Sequence, residues 1–240
     1  MVSYIMASTH SKRNYKVGVL LFQGVDILDF TGPMEVLSHV SHNCNPDQPD
    51  RMFIIETIAQ TSIIRAASVM TVKADRLLDE ALNEISEYDV LLVPGGPPSV
   101  IQPLVEGNAP EVDIIRKFAA LPLSEPPRPR VLFSICTGAF LLGAAGILSG
   151  MTVTTHHRAV DVLREICARF GDKHESPANV VHRRYTDGGY LKGDAVQLVT
   201  AGGISSGLDA TFHVVRQLSS PEMAAFVSRV MEYDWSELEN

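Results

Sequence analysis

The 240-residue chain has little cysteine and no cysteine pairing: Cys44, Cys136 and Cys167 make an odd count without a CxxC spacing. That excludes a disulfide framework and suits a reducing compartment. No HExxH pattern and no cysteine–histidine finger spacing occurs, so no dedicated metal site is expected. His156 and His157 are adjacent; on a strand they point to opposite faces and cannot chelate one ion together. The glycine-rich TAGGISSGLDA at 200–210 has neither the GK[ST] of a phosphate-binding loop nor GxGxxG. It is not read as a nucleotide site, and no cofactor is implied. No apolar run approaches the roughly 20 residues that span a bilayer. Lys/Arg blocks are absent, and the net charge is −8. This argues against electrostatic binding to nucleic acid or to an anionic membrane. MVSYIMASTHSKRNY at the start lacks the apolar core of a secretory signal. Residues 1–15 therefore read as a flexible N-terminal extension, 16–240 as one domain, and the cytoplasm as the default location.

What is present is an alternation of strands and helices. KVGVLLF (16–22) and YDVLLVPGG (88–96) are apolar runs of the kind buried on both faces of a parallel sheet, and VLFSI (131–135) and VQLVTAGG (196–203) are further strands. RMFIIETIA (51–59) is a further strand, SVMTVKAD (68–75) half of a hairpin, and MTVTTH (151–156) a short strand. NVVHRRYTDGGYLKG (179–193) reads as a hairpin turning at DGG. Helices are expected from about Gly32-Pro33 onward, and over 76–85, 111–121, 137–149, 159–170, 205–218 and 221–233. This order predicts an α/β fold with a mostly parallel sheet and helices on both faces.

Such sheets place their sites at the carboxyl ends of the strands. Four segments deliver chemistry to that edge: the first strand leads to Asp26, Asp29 and Glu35, another to Gly95-Gly96, a third to Cys136, and TVTTH to His156. Cys136 stands between a buried strand and a helix start, where partial positive charge favours thiolate and the chain turns sharply. It is either a nucleophile or a small buried thiol. Gly95-Gly96 is either an amide donor pair for a developing anion or a tight turn, and the amide following the cysteine, at Thr137, is a second donor. His156 is a base beside the thiol or a rim histidine. Asp29 sits among apolar neighbours, as a cap or as an acid of raised pKa facing the thiol. Asp26 reads as loop surface, and Cys44 and Cys167 as incidental.

The motifs VGVLLFQGVDILDFTGPMEVL, LLVPGG, SICTGAFLLGAAGILSG, TVTTHH and TAGGISSGLDATFHVV occur in that order. Together they resemble the ThiJ/PfpI superfamily of the class I glutamine amidotransferase-like fold. The nearest branch is that of isonitrile hydratases and the amidase-like domains of AraC-type regulators. The resemblance implies a flavodoxin-like three-layer sandwich, usually a homodimer, with the cysteine at a strand-to-helix nucleophile elbow. It implies Cys136 as nucleophile and Asp29 as its carboxylate partner. Thr137, Ile204 and His156 match positions of the hydratase pattern, whereas His157 stands where that branch commonly has tryptophan. The implied activity is cofactor-free hydration of a small electrophile: a Cys136 thiolate attacks the isonitrile carbon, Asp29 supplies the proton, and amides at Gly96 and Thr137 support negative charge. A glyoxalase-like or metabolite-tailoring enzyme on the same site, and a non-catalytic small-molecule or redox sensor, are the alternatives.

Overall fold

The computed structural model describes residues 12–123 and 129–235. Its strands are β1 (Tyr15–Leu21), β2 (Phe53–Ala59), β3 (Ile63–Ala66), β4 (Met70–Lys73), β5 (Arg76–Leu77) and β6 (Val90–Val93). They continue as β7 (Arg130–Ile135), β8 (Thr152–Val153), β9 (Asn179–Val180), β10 (Tyr185–Tyr190) and β11 (Val196–Ala201). Between them run helices α1 (Ile27–Ser38), α2 (Leu78–Asn83), α3 (Pro98–Glu106) and α4 (Pro110–Ala119). Helices α5 (Gly138–Ala144), α6 (Val160–Phe170), α7 (Ser206–Leu218) and α8 (Pro221–Val230) complete the order.

Seven strands form one sheet in the order β10-β11-β7-β6-β1-β2-β5, parallel throughout except for β10 against β11. β6 and β7 are buried at every position, because helices cover both faces of the sheet. One helical group is α1, α7 and α8; the other gathers α3, α4 and α6 around α5. The expected α/β sandwich with a mostly parallel sheet is therefore the observed one. From β1 the chain first builds outward to β2, then returns to the other side of β1 at β6. That reversal opens a crevice at the carboxyl ends of β1, β6 and β7. No helix among the described residues is long and apolar enough to cross a membrane.

Several local expectations are corrected. α1 starts at Ile27, not near Gly32, and Pro33 lies inside it. Proline has no N–H to give to the carbonyl four residues back, so the helix carries Pro33 at the expense of one bond to Asp29. α3 was not anticipated. The segment at 151–156 does not join the main sheet: β8 is two residues long and pairs with β9 alone. The DGG sequence is not a turn but a register shift inside β10. Asp187 holds it there, its carboxylate taking hydrogen bonds from Gln197 (2.9 Å), Gln217 (2.9 Å) and the Gly189 N–H (3.0 Å), with His213 at 3.1 Å. The hairpin turns instead after Leu191, whose N–H donates to Val196 O. Residues 1–11 of the expected N-terminal extension lie outside the described residues. Tyr15, the last of that extension, is part of the fold: it opens β1 and its hydroxyl donates to Leu218 O at 2.8 Å.

Candidate active site

Cys136 links β7 to α5 with φ +57°, the left-handed region that a side chain ordinarily avoids. Such strain costs about 1–3 kcal/mol and persists only where the surroundings fix it. They do so here through its main chain. The Cys136 N–H donates to the carbonyls of Ala201 (3.1 Å) and Gly202 (3.0 Å), and its carbonyl accepts from the Thr155 hydroxyl at 2.8 Å. A Cβ at Gly138 would stand 2.2 Å from the Val93 carbonyl oxygen. Only glycine lets the start of α5 pass so close to the end of β6.

That close approach brings the Gly95-Gly96 segment against Thr137 and Asp29. The Gly95 N–H donates to Asp29 Oδ2 at 2.9 Å. The Gly96 N–H donates to Thr137 Oγ1 at 3.0 Å, and the Thr137 hydroxyl donates to Gly96 O at 2.7 Å. Both glycine amides are thus engaged by the side chains that flank the thiol. They position Asp29 and Thr137 rather than stand open to an anion. The Thr137 N–H itself faces the sulfur and favours its ionised form.

Asp29 is fully buried in the first turn of α1, and its Oδ1 has no hydrogen-bond partner among the described residues. Burial raises its pKa to about 7, against the Gly95 amide, which pulls it down; the Asp26 charge adds to the rise and the adjacent Cys136 thiol opposes it. Cys136, 4% exposed, is pushed up to about 12 by burial and by the Asp29 charge, with the Thr137 amide opposing. The thiolate expected at a helix start is therefore corrected to a resting thiol. α5 has only seven residues, and desolvation outweighs its dipole.

Asp26, expected as loop surface, belongs to the cluster instead. Carboxylate oxygens of Asp26 and Asp29 and the Cys136 sulfur all lie within 4.8 Å of one another. Among the described residues these three are the group able to share a metal ion, and an ion there would compete with the protons on Asp29 and Cys136. Asp26 is the N-cap residue of α1 but makes no side-chain capping bond. It is half-buried; burial raises its pKa and the neighbouring His156 opposes this. The usable signal was the spacing DxxD at a helix start, hidden because the helix was placed too late.

His156 stands at the open side of this cluster. Its pKa is lowered by burial and by His157 and Arg158. The Arg158 N–H donates to its Nδ1 at 3.3 Å. A Cβ at Gly203 would fall 2.2 Å from His156 Cδ2, so glycine there makes room for the ring. The rings of His156 and His157 are 4.3 Å apart. They lie side by side rather than on opposite faces, because residues 154–156 are irregular chain. Ile204 follows Gly203 with φ +23° and is 42% exposed, on the rim and outside the polar cluster. Glu35 is exposed and faces His39 at 3.2 Å. Cys44 is exposed in its loop, and Cys167 is half-buried with its thiol raised to about 11 by burial. Beside Thr137 opens a hollow of about 500 Å³, walled by residues of α3 and α6 such as Val105 and Ile166.

A parallel sheet with a cysteine at a strained elbow, facing a buried carboxyl group, defines a class of flavodoxin-like cysteine proteins. The chain belongs to the DJ-1/PfpI family, whose model matches residues 15–217, as the motif resemblance implied. It is 30% identical over 218 residues to the isonitrile hydratase of Pseudomonas putida, covering 91% of this chain and 78% of that protein. A THiJ/PfpI family protein from Pseudomonas syringae superposes with a TM-score of 0.67 at 19% identity, over 95% of this chain and 78% of that one. An AraC family transcriptional regulator from Pseudomonas putida does so with a TM-score of 0.67 at 19% identity, over 90% of this chain and 99% of that one. At such identities these two structures speak for the fold alone.

Proposed function

We propose that the chain is a cofactor-independent isonitrile hydratase, a lyase that joins water to a small isonitrile through Cys136 and releases an N-substituted formamide. The observation that carries this reading is the buried Asp29 acid, with a pKa of about 7, whose carboxyl lies within 4.8 Å of the Cys136 sulfur. An isonitrile carbon becomes electrophilic when it is protonated, and an acid still holding its proton near neutrality is matched to that task. The 30% identity to an isonitrile hydratase supports the same substrate class.

The resting thiol requires a base as well as an acid. Neutral Asp29 gives its proton to the isonitrile carbon while ionised Asp26, the more exposed carboxylate, takes the thiol proton. The sulfur bonds to the carbon, forming an S-linked thioimidate, R–N=CH–S–Cys136. Water then adds to that carbon, its proton passing to Asp29, while Asp26 returns a proton to the nitrogen. The C–S bond breaks as the hydroxyl proton moves to sulfur, leaving R–NH–CHO and the thiol. Both carboxyl groups end as they began. The Thr137 amide steadies the sulfur as it ionises, Gly95 and Gly96 hold Asp29 and Thr137, His156 exchanges protons between Asp26 and solvent, and Ile204 forms an apolar rim. The reading also takes residues 16–240 as one domain, a homodimer as the working form, and the cytoplasm as its setting.

The test is a product assay on the wild type, Cys136→Ala and Asp29→Asn with phenyl isonitrile and, separately, methylglyoxal. N-phenylformamide from the wild type, reduced at least a thousandfold in both variants, is expected. Lactate from methylglyoxal without formamide would replace the hydratase by the glyoxalase-like reading. Turnover of neither would end both. A thiol raised to about 12 weighs against the peroxide-sensor reading, which needs an accessible thiolate.

A further inference from the structure

A second hollow, of about 460 Å³, adjoins the nucleophile through its walls. Gly202, which lines it, accepts the Cys136 N–H at 3.0 Å, and Thr155, which also lines it, donates to the Cys136 carbonyl at 2.8 Å. Gly203 separates it from the His156 ring. A molecule seated there lies one residue from the sulfur's main chain.

Its lining side chains are threonine, histidine, arginine and serine, and no carboxylate is among them. In a chain of net charge −8 this is an uncommon concentration of donors. Arg184 is already paired with the buried Asp209. The Arg183 guanidinium, by contrast, has no hydrogen bond or ion pair among the described residues. His157 and His182 stand at the rim, their rings 6.4 Å apart. Ser206 lies behind these exposed groups. It is 7% exposed, it lines the hollow, and its hydroxyl has no hydrogen-bond partner among the described residues. That hydroxyl is not sealed in protein but open to the hollow, where it can donate to or accept from an entering group. Ser206 also begins the 13-residue α7, whose positive dipole end faces the same space.

We propose that this hollow binds the carboxylate of the substrate, so that the chain acts on a small isonitrile carrying a carboxylate group. Arg183 and the Ser206 hydroxyl are the two donors to its oxygens, with the start of α7 behind them. His157 shapes the rim with a polar ring. The inference deepens the hydratase reading and rests on it only for the group placed at Cys136.

The experiment reads binding without turnover. Calorimetry at low ionic strength compares 4-formamidobenzoate with formanilide, the carboxylated and neutral products. The wild type is expected to favour the carboxylate at least tenfold, Arg183→Ala to bring that ratio close to one, and Ser206→Ala to lower it several-fold. Equal affinities, no measurable binding of the carboxylate, or a ratio untouched by Arg183→Ala would overturn the proposal. Tighter binding of 4-formamidophenyl phosphate than of the benzoate would overturn the carboxylate assignment. A retained carboxylate preference in a protein that hydrates no isonitrile upholds this hollow as a carboxylate site and ends the hydratase reading alone.

Discussion

Replacing Asp29 by asparagine separates what the site does for chemistry from what it does to stability. The carboxyl is fully buried, its Oδ1 is unpartnered, and its pKa is raised from 3.8 to about 7, mainly by burial. The folded state therefore holds this proton more tightly than the unfolded chain does. Below about pH 4 the group is neutral in both states and costs nothing. As pH rises from about 4 to about 7, the unfolded chain ionises first and stability falls; above about 7 the full loss is in place. At about 1.4 kcal/mol per decade, the interval corresponds to about 4 kcal/mol. Asparagine keeps an oxygen for the Gly95 N–H and has no charge to bury. Urea unfolding of the wild type and of Asp29→Asn at pH 4.5 and pH 8 measures the difference. Asp29→Asn should gain about 2–4 kcal/mol relative to wild type between those two values, while losing hydration activity. A relative gain below about 1 kcal/mol, or a loss at pH 8, would refute the claim that this acid is held neutral by burial.

Three further outcomes follow from the geometry. Asp26→Asn should slow hydration at least a hundredfold although it makes Cys136 easier to ionise, since the Asp26 charge is one of the groups raising the thiol; the pH profile of Cys136 alkylation should move down, and an unchanged turnover would count against Asp26 as the base. Gly138→Ala should lower the melting temperature sharply, because its Cβ would stand 2.2 Å from Val93 O and overpacking of this kind costs about 1–3 kcal/mol or more; a melt within a degree of wild type would contradict the close passage of α5. Asp187 is held well below the usual carboxylate range: burial pushes upward, but hydrogen bonds from His213, Gln197 and the Gly189 amide prevail. Its contribution is full above about pH 4 and shrinks as pH falls further, so Asp187→Asn should be less stable than wild type at pH 6, with the gap narrowed but not closed at pH 2.5 in thermal melts.

The sheet was legible because β1, β6, β7 and β11 are almost wholly buried and so are mostly apolar. The elbow was legible because Cys136 lies between such a strand and the small residues that let α5 pack close. Asp26 was not. Gly32-Pro33 carries the marks of a helix start, yet the burial of Phe30, Pro33 and Val36 against the core extends α1 back to Ile27, and tertiary packing overrides the local signal. His156 was placed on a main-sheet strand because VTTH has strand composition; that segment pairs only with β9. DGG lost its turn to the side chains that hold Asp187. The ionisation of Cys136 depends on burial depth, which no residue pattern encodes.

Asp29 acting as an acid beside a resting thiol is the central step of the proposed hydration. The dependence of kcat/KM on pH with phenyl isonitrile tests this most directly. The rate should fall as pH rises through about 7, where Asp29 loses its proton, with that limb absent in Asp29→Asn. A rate that instead climbs steadily through pH 8 and 9, tracking ionisation of the thiol, would contradict it.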